Sequence, residues 1–344
     1  MSISENIQQV ARETARIKSE VNKIFIGQEE LVEGTLAALF SEGHVLIEGV
    51  PGLGKTLLVR ALGKLLGCKF GRIQFTPDLM PSDITGSHIY NQKEQKFMFM
   101  KGPLFTNLLL ADEINRAPAK THSALLEIMQ ESQVTIDNRQ YTIAPPFFVM
   151  ATQNPVESEG TYSLPEAQLD RFLLKLKIDY PTAEEEKQVY RLHADGTAVD
   201  PQARLESLLD PEKVIALQKA AVEVRVSESL IDYITALVRA TRDQRDIYLG
   251  CSPRAGIALL KTSRAIALME GRDYVVPDDV QRMVLPAFRH RILLNPEAEV
   301  EGRTADDVIR EVVESVEIPR ESVREPGAGA RPDGSSMGDP VVGG

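Results

Sequence analysis

One stretch narrows the fold more than any other: GVPGLGKT, residues 49–56, set between the apolar run HVLIE and the periodic run LLVRALGKLLG. A GxxxxGK[ST] spacing between a strand and a helix predicts a P-loop opening at Gly49. In such a turn the backbone N–H groups of Gly52, Leu53, Gly54, Lys55 and Thr56 surround phosphate oxygens, and the positive end of the following helix adds to the attraction. Lys55 is expected to balance β- and γ-phosphate charge, and Thr56 to ligate Mg²⁺. A glycine-rich loop arising by chance would lack the flanking strand and helix.

The rest of the first half repeats that rhythm. Short apolar runs (HVLIEG, FGRIQF, LLLADE, FFVMATQNP, FLLKLKIDYP) alternate with helical patterns such as THSALLEIMQE. Strands alternating with helices predict a parallel sheet covered on both faces. Two stretches break the alternation, residues 84–100 (ITGSHIYNQKEQKFMFM) and 134–143 (VTIDNRQYTI). Each reads as a β-hairpin inserted into the α/β frame. Upstream, Ile3, Ile7, Val10, Ile17, Val21 and Ile24 recur at helical spacing, which predicts an amphipathic helix. Beyond YPTAEEE the strand pattern stops, and residues 211–290 show only helical periodicity. The closing segment ESVREPGAGARPDGSSMGDPVVGG is dense in Gly, Pro and Ser, so it is expected to be disordered.

Composition removes several classes of function. No apolar stretch approaches the ~20 residues of a membrane span, and the charged N-terminus is unlike a secretory signal, so a cytoplasmic protein is expected. The two cysteines, Cys68 and Cys251, form no CxxC pair, and the five histidines fall at no ligand spacing, which argues against a disulfide framework or a protein-bound transition metal. A formal net charge of -11 disfavours nonspecific binding to nucleic acid.

Further polar positions gain meaning from the P-loop. NLLLADE ends an apolar strand in Asp112 and Glu113, where a parallel sheet delivers side chains to its ligand crevice. Asp112 is expected to hold Mg²⁺ through its water shell, and Glu113 to orient and polarise an attacking water. Asn154, ending FFVMATQN, can bond both water and phosphate. Arg171, beside Asp170, reads either as a surface ion pair or as a phosphate partner. Arg254 opens a helix where a cation opposes the dipole, and a phosphate and a plain surface role remain open for it.

GVPGLGKT, LLLADEINRAPAKTHSALLEIMQE, MATQNP, LPEAQLDRF and SPRAGIALL, in that order, resemble the MoxR family of AAA+ ATPases over about residues 4–320. The resemblance implies Lys55 and Thr56 as Walker A, Asp112 and Glu113 as Walker B, Asn154 as sensor 1, Arg171 as arginine finger and Arg254 as sensor 2. It implies ATP and Mg²⁺ as cofactors. It further implies an α/β P-loop core with its N-terminal helix over residues 1–182, a smaller all-helical lid over 183–320, and a tail over 321–344. The inserted hairpins resemble the helix-2 and pre-sensor-1 insertions of one AAA+ clade. A homo-oligomeric ring of six subunits is implied, with a chaperone-like action on protein clients, von Willebrand factor A domain proteins among them. Three readings of the work stand beside one another: a protein-remodelling motor, a helicase-like nucleic-acid translocase, and a nucleotide-gated binding module. YNQKEQKFMFM offers aromatic and Met side chains suited to a flexible polypeptide, or to packing the hairpin against the sheet.

Overall fold

A computed structural model of the chain describes residues 3–319, apart from residues 51, 155–161, 163 and 195–204. Pro51 of the P-loop and the tail read as disordered therefore lie outside the described residues.

The chain opens with α1 (Ile3–Asn22) and α2 (Glu29–Phe40). Val10, Thr14, Ile17 and Val21 of α1 are buried, which is the apolar stripe that spacings of three and four residues produce. Then come β1 (Val45–Glu48), α3 (Lys55–Leu65), β2 (Phe70–Gln74), α4 (Pro81–Thr85), β3 (Gly86–Asn91), β4 (Lys96–Lys101) and β5 (Leu108–Asp112). After a 3-10 turn at Ile114–Arg116 follow α5 (Ala119–Glu131), β6 (Gln133–Ile136), β7 (Arg139–Thr142), β8 (Phe148–Gln153), α6 (Glu166–Leu169), β9 (Leu174–Lys177) and α7 (Ala183–Ala194).

Five strands form one parallel sheet in the order β2-β5-β8-β1-β9. Alternate residues point to opposite faces, and both faces are buried. Val45, Ile47, Leu108, Leu110, Phe148 and Met150 share a core with α1, α2, α3 and the C-terminal helices. Leu46, Leu109, Ala111, Val149 and Ala151 meet α5 on the other face. The expected parallel sheet is thus present, and its strands are the near-continuous apolar runs that two-sided burial demands.

Both predicted hairpins are present as two-stranded antiparallel ribbons, β3 with β4 and β6 with β7. The first begins two residues later than its sequence pattern, because Ile84 and Thr85 close α4. The hairpins brace each other: the Phe99 and Tyr141 ring centroids lie 4.4 Å apart, and His88 pairs with Asp137 at 2.7 Å.

The C-terminal part holds α8 (Pro211–Glu223), α9 (Glu228–Asp243), β10 (Ile247–Leu249), α10 (Pro253–Met269), α11 (Pro277–Phe288), β11 (Leu293–Leu294), α12 (Pro296–Val300) and α13 (Ala305–Ser315). It is helical apart from the short β10–β11 ribbon, which is too brief to leave an alternating pattern in the sequence. Helix α10 is its centre, with Ala255, Ala258, Leu259, Thr262, Ala265 and Ile266 buried. Ser41 donates to the Lys261 carbonyl at 3.1 Å and Gln218 to the Leu39 carbonyl at 2.8 Å, so the helical part is joined to α2 by polar bonds as well as by a shared core.

Candidate active site

The C-terminal ends of the inner strands converge on one edge of the sheet. At Gly49, leaving β1, an added Cβ would lie 2.3 Å from the Ile178 side chain and 2.5 Å from its carbonyl oxygen, so only glycine lets the loop leave the strand there. Gly52 and Gly54 take φ of 85° and 78°, a left-handed conformation that glycine adopts without steric cost. Gly54 caps α3 with no side-chain bond, and the first turn of α3 holds no acidic residue. That leaves the helix N-terminus open to an anion. Lys55 is buried and donates to the Gly49 carbonyl at 2.5 Å. Burial pulls its ammonium below the ordinary lysine range, while Asp112 and Glu113 push the other way. Thr56 follows, half-buried.

Two strands away, β5 delivers Asp112 and Glu113. One hydroxyl organises both: Thr152 of β8 donates to Asp112 Oδ1 at 2.6 Å and accepts the Glu113 N–H at 2.9 Å. Arg72 of β2 donates to Asp112 Oδ2 at 2.7 Å. The Glu113 carboxylate accepts from Gln74 of β2 at 2.7 Å and from Arg116 at 3.1 Å. Glu113 has φ of 55°, a left-handed conformation costing a non-glycine residue roughly 1–2 kcal/mol, and backbone strain of this kind gathers at functional sites. Asn154, buried just past β8, falls between Gly49 and Asp112 because β8 lies between β1 and β5. Thr152, Gln74, Arg72 and Arg116 escaped the sequence reading. For Thr152, Gln74 and Arg72 the only signal was a position at or next to the end of a strand whose neighbours could not be assigned without the sheet order, and for Arg116 it was the spacing of three residues from Glu113.

Arg171 and Arg254 lie elsewhere. Leu173 bonds to the His44 carbonyl at 2.8 Å, and β9 runs parallel to β1 from Val45↔Leu174 to Glu48↔Lys177. Arg171 thus precedes the strand while the P-loop follows its neighbour, four strand residues or about 13 Å away along the sheet. The Arg171 guanidinium donates to the Leu126 carbonyl at 2.7 Å. Arg254, in the first turn of α10, approaches Asp170 at 3.5 Å. The two arginines therefore share one edge of the molecule, and the P-loop with its carboxylates occupies the other.

Beside the P-loop opens a cavity of about 900 Å³ whose walls include Phe25, Ile26, Leu53, Leu57, Tyr180 and Tyr190. It suits a flat apolar group attached to an anion held by the loop. A second cavity of about 690 Å³ carries Glu29, Glu30, Asp179 and Glu185 and would repel phosphate. The apolar cavity is built by the segments after α1 and β9, FIG and DYP, which have no periodicity to announce them.

Comparison with known proteins finds relatives for both parts of the chain. Residues 44–174 match the ATPase family associated with various cellular activities (AAA), and residues 239–312 match the AAA lid domain. The chain is 45% identical over 311 residues to the protein named Chaperone MoxR1 of Mycobacterium tuberculosis, covering 88% of this chain and 81% of that protein. It is 49% identical over 306 residues to the uncharacterized protein YeaC of Bacillus subtilis, covering 88% and 95%. A solved structure of a candidate ATPase from Cytophaga hutchinsonii superimposes with a TM-score of 0.85 at 42% identity, covering 92% of this chain and 98% of that one.

Proposed function

Since this chain belongs to the MoxR family of AAA+ ATPases, we propose that it hydrolyses ATP to ADP and phosphate at sites shared between neighbouring subunits, and that the cycle remodels or activates partner proteins. The observation that carries the reading is the division of the polar residues between two edges of the sheet. Arg171 sits about 13 Å along the strands from its own P-loop, farther than an arginine side chain extends, so its phosphate partner belongs to another copy. Such a contact is heterologous and closes into a ring or runs on as a helix. The family resemblance favours a ring of six.

In this reading the open N-terminus of α3 and Lys55 hold the β- and γ-phosphates, and the apolar cavity takes the base. Thr56 and Asp112 would hold Mg²⁺, which when bound offsets charge on the phosphate oxygens. The donor set fits, because a hydroxyl and a carboxylate are the hard oxygen ligands that ion prefers. Glu113 takes a proton from the attacking water as its oxygen bonds to the γ-phosphorus and the bond to the β,γ-bridging oxygen breaks. Gln74 and Arg116 both bond to its Oε2, which leaves Oε1 as the oxygen that takes the proton. Asn154 orients water and γ-phosphate. Arg171 and Arg254 of the neighbouring subunit offset the charge that develops on the transferring group.

The hairpin supports a protein client. Phe99 turns inward onto Tyr141, whereas Phe97 is 70% and Met100 59% exposed, with Ile89, Tyr90 and Met98 also at the surface. Met-rich apolar surfaces accommodate varied partners. The translocase reading has less support: Lys96 pairs with Glu94, and Lys101 lies over the Phe105 ring. A role with von Willebrand factor A domain proteins rests on the family resemblance alone. No helix among the described residues is long and apolar enough to cross a membrane, and a cytoplasmic site of action is part of the proposal.

The test uses three variants. Glu113→Gln should keep ATP bound while turnover falls about 10²-fold or more. Lys55→Ala and Arg171→Ala should each be inactive alone and regain part of the activity when mixed, because some interfaces then pair an intact P-loop with an intact arginine. A dilute monomer turning over at the full rate would overturn the shared site.

A further inference from the structure

The loop that carries Arg171 is held by the helical lid as well as by the sheet domain that contains it, where Arg171 bonds to Leu126 and Leu173 to His44. Arg291, just past α11, has only 4% of its side chain exposed. Its Nε donates to Asp170 Oδ1 at 2.7 Å, and its two terminal nitrogens donate to the Phe172 carbonyl at 2.7 Å and the Leu173 carbonyl at 3.0 Å. A further bond goes to the Ala287 carbonyl in α11, which ties the guanidinium to its own helix. The buried His290 donates from Nε2 to the same Phe172 carbonyl at 3.0 Å. The remaining oxygen of Asp170 meets Arg254 on α10 at 3.5 Å. Asp170 is thus a common partner of two lid arginines, and the residue after it is Arg171.

A planar guanidinium with its donors fixed in a fork holds several acceptors in one mutual geometry, which an ammonium cannot do. Buried, it holds them without competition from water. On the reading of Arg171 and Arg254 as cations that serve a neighbouring subunit, we infer that Arg291 is the positioning residue that joins the 170–173 loop to the lid. The two cations are then fixed relative to one another, so that Arg171 and Arg254 are presented together to the neighbour's phosphate. Arg291 itself touches no nucleotide, because its side chain is 4% exposed and four of its five donors are committed to Asp170 and to backbone carbonyls. The role is distinct from general support of the fold: it predicts a defect located at the next subunit's site.

Complementation between full-length variants locates that defect. Arg291→Met alone should lower kcat at least about tenfold while the affinity of its own P-loop for a fluorescent ATP analogue stays within about twofold. Mixed with Lys55→Ala, whose lid and arginines are intact, it should recover activity, since the Lys55→Ala subunit presents a well-placed Arg171 to the P-loop of the Arg291→Met subunit. Mixed with Arg171→Ala it should stay inactive, because no subunit then offers an intact arginine edge. The Lys55→Ala plus Arg171→Ala mixture is the control for the shared site: its failure would count against that reading. If the control recovers and Arg291→Met with Lys55→Ala does not, or if Arg291→Met with Arg171→Ala recovers, the positioning role is wrong. Should Arg291→Met fail to fold, Arg291→Lys carries the same tests. It keeps the charge beside Asp170 and loses the forked bonds to Phe172 and Leu173, so full kcat in that variant would equally overturn the inference.

Discussion

Replacing Thr152 with valine removes one hydroxyl and leaves the side-chain volume nearly unchanged. Thr152 is 1% exposed, and its hydroxyl makes two bonds, one to Asp112 at 2.6 Å and one from the Glu113 N–H at 2.9 Å. A neutral hydrogen bond contributes about 1 kcal/mol net, and one to a charged group about 1.5–3 kcal/mol. Asp112 keeps its bond from Arg72 and is 17% exposed, so water meets part of the deficit and the expected destabilisation is about 2 kcal/mol rather than the ~4 kcal/mol upper sum. Urea denaturation reads it as a shift of the midpoint at unchanged slope. The functional effect has a separate origin. The Asp112 carboxylate and the Glu113 backbone N–H are tethered to the same hydroxyl, so if the tethers orient the two residues during turnover, kcat should fall about tenfold, equivalent to ~1.4 kcal/mol, with little change in KM for ATP. Thr152→Ser restores the hydroxyl and should restore turnover. A Thr152→Val variant with the wild-type midpoint and wild-type kcat would refute the reasoning, and lost stability with full turnover would reduce the hydroxyl to a structural bond.

Gly49→Ala should destabilise the fold by about 1–3 kcal/mol. Its Cβ would press on Ile178, whose backbone is fixed by a 2.9 Å bond to the Glu48 carbonyl; a urea midpoint within about 0.5 kcal/mol of wild type would contradict this. Burial holds His44 down to about 4, as a neutral ring that accepts the Val149 N–H on Nδ1 and donates from Nε2 to the Met129 carbonyl. Because the folded value lies below the ordinary 6.5, the unfolded chain takes up the proton first. The stabilisation is whole above about pH 6.5 and is lost by about pH 4, roughly 3 kcal/mol in all. His44→Gln should accordingly show a shallower fall in stability over that range, and parallel acid slopes in the two proteins would count against it.

Local chemistry made much of this protein legible from residues alone. A glycine-lysine turn between an apolar run and an amphipathic run has few uses, because closely spaced N–H groups and a helix N-terminus favour an anion wherever they occur. Two-sided burial forces the inner strands to be apolar throughout, so the sheet declared itself in runs such as LLLAD and FVMAT. The hairpins were visible because a two-stranded ribbon needs only local pairing around a turn. What the linear order could not decide is which residues meet. Thr152, Gln74 and Arg72 became partners of Asp112 and Glu113 only when the order β2-β5-β8-β1-β9 set strands remote in sequence side by side, whereas Arg116 meets Glu113 within the 3-10 turn that follows it. The apolar cavity needed the ends of α1 and β9 and helix α7 brought together across long intervals of chain. Most of all, the sequence placed Arg171 and Arg254 among the phosphate-binding candidates with no means of telling one edge of the sheet from the other. That depends on strand direction and on a lid packed against the N-terminal end of β9, and both are long-range consequences of burying two faces of one sheet.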